Sequence, residues 1–246
     1  MKPLIIIPAH NEEQTIYEVV TRSLKHADVS ITDDGSRDRT PEILRTIVQE
    51  CKDKKHAHSL NVVTHEKATH IPRGLQDGFK YGTSQDYDVF VTMDAGLSHD
   101  PDAIPDFLNA DATADVVIGM RAKIENVPLY RRFISRCAAL IVNYALTPSF
   151  FSFGPGLRDC TSGFRRYSRR AAVLIAGAEL KSKAFDFHME ALALCVREGM
   201  KPVEIPITYV FSNSSFNSRV LKQAMKFGLY LISTKGKKRA GAASPG

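Results

Sequence analysis

Short apolar runs alternate with longer amphipathic segments through the first half of the chain. Leu4–Ile7 is continuously apolar, as expected of a strand buried on both faces, and similar runs occur at 28–32, 60–64, 87–93 and 115–120. Strands that alternate with helices of about 10–15 residues predict βαβ units. We therefore expect an α/β fold in which helices flank a mostly parallel central sheet.

Capping signals predict where several helices begin. Asn11 and Gln14 have the spacing of a capping box, and prolines follow potential capping residues at Thr40-Pro41 and Asp100-Pro101. The second half predicts longer helices and fewer strands. Further helices are expected at 74–84, 129–146, 168–176, 185–198 and 218–233, and further strands at 163–167 and 203–211.

The 246 residues are enough for one large domain with a sizeable core. No internal repeat or linker divides the sequence, so we expect a single domain over 1–233. Its halves are about 1–125 and about 126–233. The basic segment 234–246 ends in small and polar residues and is expected to be disordered.

Composition excludes several classes of protein. No apolar stretch approaches the roughly 18–20 residues of a transmembrane helix, and the N-terminus does not resemble a signal peptide. The four cysteines are widely spaced, which favours reduced thiols and a cytoplasmic location over disulfides or a zinc site. The net charge of +6 suits an anionic partner without identifying it.

Polar residues come directly after several of the predicted strands. Because parallel strands end at the same edge of a sheet, these residues are expected to lie at that edge. They include residues 8–12, residues 33–38, Asp94 and Arg121. Helix capping explains any single acid, but Asp33 is too far from a helix beginning near Pro41. Acids gathered at one edge repel each other unless a metal–nucleotide complex or hydrogen bonds to a ribose or base offset their charge.

Four of these segments resemble family 2 glycosyltransferases of the GT-A fold, which is Rossmann-like. They read PAHNEE, DDGSRDRT, RGLQDGFKYG and MDAGLSHDP. The later segments IGMR, RRFISR, DCTSGFRRYS and VEIPITYVF resemble the dolichol-phosphate mannose synthase branch, which includes other polyprenyl-phosphate glycosyltransferases. The resemblance covers residues 3–220 and implies acceptor-side helices in the C-terminal half.

The resemblance implies residue roles on both sides of the site. Those expected to bind the nucleotide are Pro8, Asn11, Glu12, Asp33, Asp34, Arg73, Gly74 and Asp94. Those expected around the acceptor phosphate are Arg121, Arg131, Ser135, Arg136, Asp159, Ser162 and Arg165. Asp94, Arg121, Arg131 and Ser135 are the candidate catalytic residues.

The resemblance also implies Mg²⁺ or Mn²⁺ as cofactor. Asp94 matches the first acid of the family's DxD metal motif, but Gly96 occupies the position of the second. We expect a reduced ligand set, with Ser98 and His99 as weaker candidates, because a metal that retains waters and binds substrate phosphates needs few protein ligands. A second departure lies at 213–219, where the branch usually has Arg-x-x-Gly-x-Ser-Lys. This departure leaves the sugar open.

The predicted activity is inverting transfer of a sugar from GDP-mannose or a UDP-hexose to a polyprenyl or dolichyl phosphate. Such a phosphate is already an anionic nucleophile and needs no protein base. Two alternatives are a family 2 enzyme with a soluble glycan or other non-lipid acceptor, and a catalytically impaired nucleotide-sugar binder. The former would need a base, for which Asp159 and Glu190 are candidates.

The expected location is cytoplasmic and peripheral to a membrane. The basic, amphipathic segment 218–239 is the candidate membrane anchor, and a membrane-protein partner is the alternative route. An ordinary packed helix with a solvated tail explains the same pattern. No nucleic-acid-binding module is recognised, so no nucleic-acid partner is expected. A processive polysaccharide synthase is disfavoured because the chain has no Trp for the QxxRW motif of those enzymes.

Overall fold

The computed structural model describes residues 1–125, 129–147, 155–210 and 218–235, and the side chains of 124–125, 129–135 and 218–225 lie outside that description. Its strands are β1 (Pro3–Ala9), β2 (Asp28–Asp33), β3 (Leu60–Thr64), β4 (Val89–Thr92), β5 (Val116–Glu125), β6 (Arg165–Ser168) and β7 (Pro202–Val210). Its α-helices are α1 (Ile16–Ser23), α2 (Thr40–Lys52), α3 (Ile71–Ser84), α4 (Ile104–Leu108), α5 (Leu129–Leu146), α6 (Arg169–Ala176), α7 (Phe187–Arg197) and α8 (Ser218–Ser233).

The seven strands form one sheet in the order β3-β2-β1-β4-β6-β5-β7. Strand β6 runs antiparallel to both neighbours, and the other pairs are parallel. The prediction of a mostly parallel α/β sheet is therefore confirmed. The order also places the carboxyl ends of β2, β1 and β4 side by side, where open α/β sheets bind ligands.

Strand β1 lies between two hydrophobic cores. Leu4 and Ile6 belong to the core on one face, and Ile5 and Ile7 belong to the core on the other. Helices cover both faces, which explains why this strand is continuously apolar rather than alternating. The central strands therefore hold their loops on a rigid base.

Two predicted boundaries differ most from the structure. Helix α1 begins at Ile16 with Thr15 as its N-cap, not after Asn11, whose φ of 56° lies in the left-handed region. Strand β5 extends beyond 115–120 to Glu125, with an irregularity between Arg121 and Lys123. Arg121 therefore lies within a strand rather than in the loop after it.

Helices α5 and α8 pack against each other, and residues of both belong to the same hydrophobic core as Leu4 and Ile6. A Cβ added to Gly228 would lie 3.0 Å from the Ile141 Cγ2, so the two helices approach closely there. Among the described residues, no helix has the length and apolar character needed to cross a membrane. The predicted single domain over 1–233 stays a prediction, and residues 236–246 of the predicted tail lie outside the description.

Candidate functional site

Asp33 is the last residue of β2, and only one oxygen of its buried carboxylate accepts a hydrogen bond. Its side chain accepts a hydrogen bond at Oδ1 from the Ser36 N–H at 3.1 Å. Its Oδ2 is buried and has no hydrogen-bond partner within the part of the chain that the structure describes. A buried acceptor without a partner is costly. Asp33 is therefore well placed to accept a hydrogen bond from a ligand hydroxyl or N–H.

Asp34 has a different environment from its neighbour. Its Oδ1 accepts hydrogen bonds from the Thr69 N–H and hydroxyl and lies 2.8 Å from the His65 Nδ1, while its Oδ2 accepts from the His70 N–H at 2.7 Å. Burial alone would raise the pKa of the Asp34 carboxyl, but these hydrogen bonds lower it. The carboxylate thus shapes the loop after β3, and its oxygens are already engaged.

The loop after β1 is joined to the turn after β2 by Asn11. The Asn11 N–H donates to the Ser36 Oγ at 2.9 Å, and its side-chain oxygen accepts from the Arg37 N–H at 2.8 Å. Beside it, the Glu12 N–H donates to the Thr40 Oγ1. Burial, with the nearby charge of Asp94, raises the pKa of Glu12 even though a hydrogen bond from Thr15 opposes the rise.

Helix α3 begins against these two loops. A Cβ added to Gly74 would lie 3.3 Å from the Pro8 Cβ, and the Gly74 carbonyl accepts from the Thr32 hydroxyl at 2.9 Å. Arg73 is exposed and donates through Nε to Asp77 at 3.2 Å. The predicted nucleotide-side residues therefore lie together around the ends of β1 and β2.

Asp94 follows β4 on the same edge, and its side chain is 39% exposed. Its Oδ2 lies 3.6 Å from the His99 Nδ1. The His99 ring is buried between Phe164 and Tyr209, and this burial lowers its pKa, which keeps it neutral. A neutral imidazole is the form that binds metals.

The metal candidates around Asp94 do not form a complete site. Among the described residues, no group of three His, Cys, Asp or Glu is arranged to hold a metal. Ser98 is buried, and its carbonyl accepts from the Val210 N–H at 3.2 Å. Asp94 therefore offers a half-exposed carboxylate that fits a metal held largely by other ligands, such as phosphate oxygens and water.

Arg121 and Asp159 form an ion pair in which the carboxylate is buried and the guanidinium is partly exposed. The guanidinium donates from Nε to Oδ2 at 2.6 Å and from Nη2 to Oδ1 at 2.8 Å. Asp159 also accepts from the N–H groups of Thr161 and Ser162. Burial alone would raise the pKa of Asp159, but Arg121 and these hydrogen bonds lower it to about 2. Asp159 is thus a persistent anion with engaged oxygens.

Arg165 lies in the interior rather than at the edge. Its guanidinium donates to the carbonyls of Ser162, His188 and Cys160 at 2.8, 2.6 and 2.7 Å, and its side chain is fully buried. This geometry favours a role in holding the loop after residue 159, so it does not support the predicted phosphate contact. Ser162 is also buried, and its hydroxyl has no partner among the described residues.

Gly163 separates Asp94 from a buried histidine that the sequence did not identify. A Cβ added there would lie 3.0 Å from the His188 Nε2 and 3.1 Å from the Asp94 Oδ1. Helix α7 supplies His188, which is distant in sequence from Asp94, so no local motif could have paired them. By contrast, His65 directly follows β3 at the same edge, and the rule that identified the other strand ends could have found it.

The remaining acceptor-side predictions lie partly outside the description. The backbones of Arg131 and Ser135 belong to α5, but their side chains are not described, and the loop containing Asn213 is outside the description. Arg136 is exposed on α5. The roles assigned to these residues stay predictions.

Both candidate general bases already accept hydrogen bonds from other groups of the protein. Asp159 is bound to Arg121, as described above. Glu190 is buried and accepts hydrogen bonds from the N–H groups of Lys181 and Ser182 at 2.8–3.0 Å. Neither carboxylate is free to remove a proton from an acceptor in this arrangement.

Comparison with known proteins identifies the family. Residues 4–173 match the profile of Glycosyl transferase family 2. The chain belongs to this family. It is 32% identical over 217 residues to undecaprenyl-phosphate mannosyltransferase from Micrococcus luteus. The aligned region covers 85% of this chain and 84% of that protein. It is also 30% identical to polyprenol monophosphomannose synthase from Mycolicibacterium smegmatis, in an alignment that covers 85% of this chain and 77% of that protein.

A solved structure supports the family's GT-A fold. Glucosyl-3-phosphoglycerate synthase from Mycobacterium tuberculosis, in complex with Mn²⁺, UDP and phosphoglyceric acid, matches with a TM-score of 0.67. The match covers 98% of this chain and 80% of that chain at 17% identity. The protein is thus a family 2 glycosyltransferase with a GT-A-like fold, as the sequence predicted.

Proposed function

We propose that this glycosyltransferase transfers a sugar from GDP-mannose or a UDP-hexose to a polyprenyl or dolichyl phosphate at a membrane surface, with inversion. The observation on which the choice of acceptor depends is the engagement of both candidate bases, Asp159 and Glu190. A hydroxyl acceptor has to lose a proton during transfer, whereas a phosphate acceptor is already anionic at neutral pH. The names of the similar proteins support the same acceptor class.

The donor would bind at the edge formed by β1, β2 and β4. The unpartnered Asp33 Oδ2 would accept a hydrogen bond from the nucleoside, and Asp94 would hold Mg²⁺ or Mn²⁺ with the donor diphosphate. The metal supplies positive charge that stabilises the leaving diphosphate. His99 is buried, so it would not be the main protein ligand of the metal. Its proposed contribution is to hold the loop that follows Asp94.

The test is a transfer assay with paired acceptors. Purified protein is given GDP-mannose, UDP-glucose or UDP-GlcNAc, with a short polyprenyl phosphate or the corresponding polyprenol, in Mg²⁺, Mn²⁺ or EDTA. We expect a metal-dependent product from the phosphate and none from the alcohol. Transfer to the alcohol would contradict the phosphate-acceptor proposal. Nucleotide binding without either product would favour the soluble-acceptor or impaired-binder alternative.

The acceptor-side helices offer a surface for membrane association. Leu140 of α5 and Leu229 and Tyr230 of α8 are exposed large hydrophobic residues, and Arg136 and Lys226 are exposed cations on the same two helices. Exposed apolar residues interleaved with cations favour the surface of an anionic bilayer. We propose that this helix pair brings the acceptor lipid to the site.

Leu229→Glu is expected to weaken binding to vesicles of phosphatidylglycerol and phosphatidylcholine by about tenfold, because it replaces apolar contact with a charge that anionic lipid repels. Co-sedimentation at two salt concentrations measures the loss. Val173→Glu is the matched control, since Val173 is exposed on α6, a helix that packs mainly against α3. Equal effects of the two substitutions would exclude α8 as the membrane-binding element.

A further inference from the structure

His65 lies between two carboxylates immediately after β3. Its Nδ1 is 2.8 Å from the Asp34 Oδ1, and its Nε2 is 3.0 Å from the Asp77 Oδ2. The ring is 15% exposed. One side chain therefore connects the carboxyl end of β2 to helix α3.

The segment after His65 is closely packed against the turn that contains Asp33. The His65 N–H donates to the Asp33 carbonyl at 2.9 Å, and the N–H groups of Thr69 and His70 donate to Asp34. A Cβ added to Gly35 would lie 3.0 Å from the backbone of residues 67–68. We call residues 65–74 the donor wall, because they cover this turn and end where α3 meets the loop after β1.

The other contact of His65 fixes the far end of the donor wall. Asp77 lies on the second turn of α3 and also accepts from the Arg73 Nε at 3.2 Å, with the Lys80 Nζ 3.9 Å from its Oδ1. Because Gly74 packs against Pro8, a shift of this helix end would alter the loop at the end of β1 as well.

Both ring nitrogens of His65 face carboxylate oxygens, so the ring donates to both only when it is doubly protonated. The groups around it are Asp34 from β2, Asp77, Arg73 and Lys80 from α3, and the Thr69 hydroxyl at 3.0 Å from Nδ1. Charge-assisted hydrogen bonds are shorter and stronger than neutral ones, and two of them would hold the ring in one orientation.

We propose that His65 is a positioning residue that holds the donor wall against Asp33 and thereby sets the affinity for the nucleoside diphosphate of the donor. This inference rests on the proposed function, because it concerns the donor of that reaction. His65 acts through Asp34 and Asp77 and has no role in the bond that breaks. Its loss should therefore raise the donor KM while kcat changes little.

The test compares three substitutions that remove different bonds. Alanine removes both contacts, asparagine retains a donor near the position of Nδ1, and glutamine retains one near the position of Nε2. Calorimetric titration with GDP and with UDP in Mg²⁺ measures affinity. We expect His65→Ala to weaken binding by about tenfold, as for the loss of a charge-assisted hydrogen bond, and the two amides to lie between it and wild type. Asp77→Asn should reproduce the part of the effect that comes from the Nε2 contact, because it weakens that contact alone.

His58→Ala is the matched control, because His58 lies 3.7 Å from Asp28 at the opposite, amino end of β2. It should bind both nucleotides like wild type. A second measurement follows the exchange of the Thr69 and His70 amides, which should accelerate in His65→Ala but not in His58→Ala.

The outcomes separate this inference from the function on which it rests. If wild type binds the nucleotides and His65→Ala binds them with the same affinity, only the positioning role is overturned. Failure of wild type to bind either nucleotide would overturn the proposed donor and with it this role. If His65→Ala is unfolded by thermal melting, the asparagine and glutamine variants and Asp77→Asn decide the matter, and unchanged affinity in all three would overturn the inference.

Discussion

Asp94→Asn is expected to lower the rate of sugar transfer by at least about 100-fold, because it removes the charge but keeps the shape of the half-exposed acid after β4. Groups aimed at charge that develops in a transition state typically contribute about 10²–10³ in kcat. Here that charge would develop on the leaving diphosphate. Initial rates over a range of Mg²⁺ and Mn²⁺ concentrations measure the loss.

The predicted effect is specific to catalysis. Nucleotide binding in EDTA should stay close to wild type, because the proposed nucleoside contact at Asp33 does not involve the metal. Asp106→Asn is the matched control, since Asp106 is an exposed acid in the first turn of α4. Retention of more than a tenth of wild-type activity by Asp94→Asn would show that the diphosphate is stabilised mainly by other residues.

The sheet and its ligand-binding edge could be predicted because they depend on local patterns. Continuous apolar runs identify buried parallel strands, and the first polar residue after each run marks the edge. Asp33 and Asp94 were found in this way. The same reasoning failed for the start of α1, because Asn11 adopts a left-handed conformation and bonds to Ser36 and Arg37 rather than capping a helix.

The use of each side chain at that edge could not be predicted, because it depends on partners distant in sequence. Asp33 and Asp34 are adjacent and chemically identical, yet only the carboxylate of Asp34 is engaged by the loop at 65–70. Arg165 is similarly held by carbonyls that the fold brings to it, including that of His188. A motif identifies the residue type but not the direction in which the side chain points.

Asp159→Asn is expected to lower the free energy of unfolding by about 2–3 kcal/mol at pH 7, because it removes the buried charge to which the partly exposed Arg121 guanidinium and the N–H groups of Thr161 and Ser162 donate. The amide would also present a donor where Arg121 itself donates. Urea unfolding measures the change. Asp111→Asn is the matched control, because Asp111 forms an ion pair with Lys201 at the exposed surface, where such pairs contribute little.

The size of this effect should depend on pH in a defined direction. The folded pKa of Asp159 is about 2, below the value of about 3.9 for an unfolded aspartate, so its contribution is present above pH 4 and is lost as the pH falls through 2. The difference in stability between wild type and Asp159→Asn should therefore shrink by about 1–2 kcal/mol between pH 5 and pH 2. A constant difference over that range would mean that Asp159 stabilises the fold through hydrogen bonds that do not require its charge.

Arg121→Met distinguishes the two cases further, because it removes the cation but leaves the N–H groups of Thr161 and Ser162 bonded to the acid. If charge pairing dominates, this variant should lose most of the acid sensitivity that Asp159 gives the wild type.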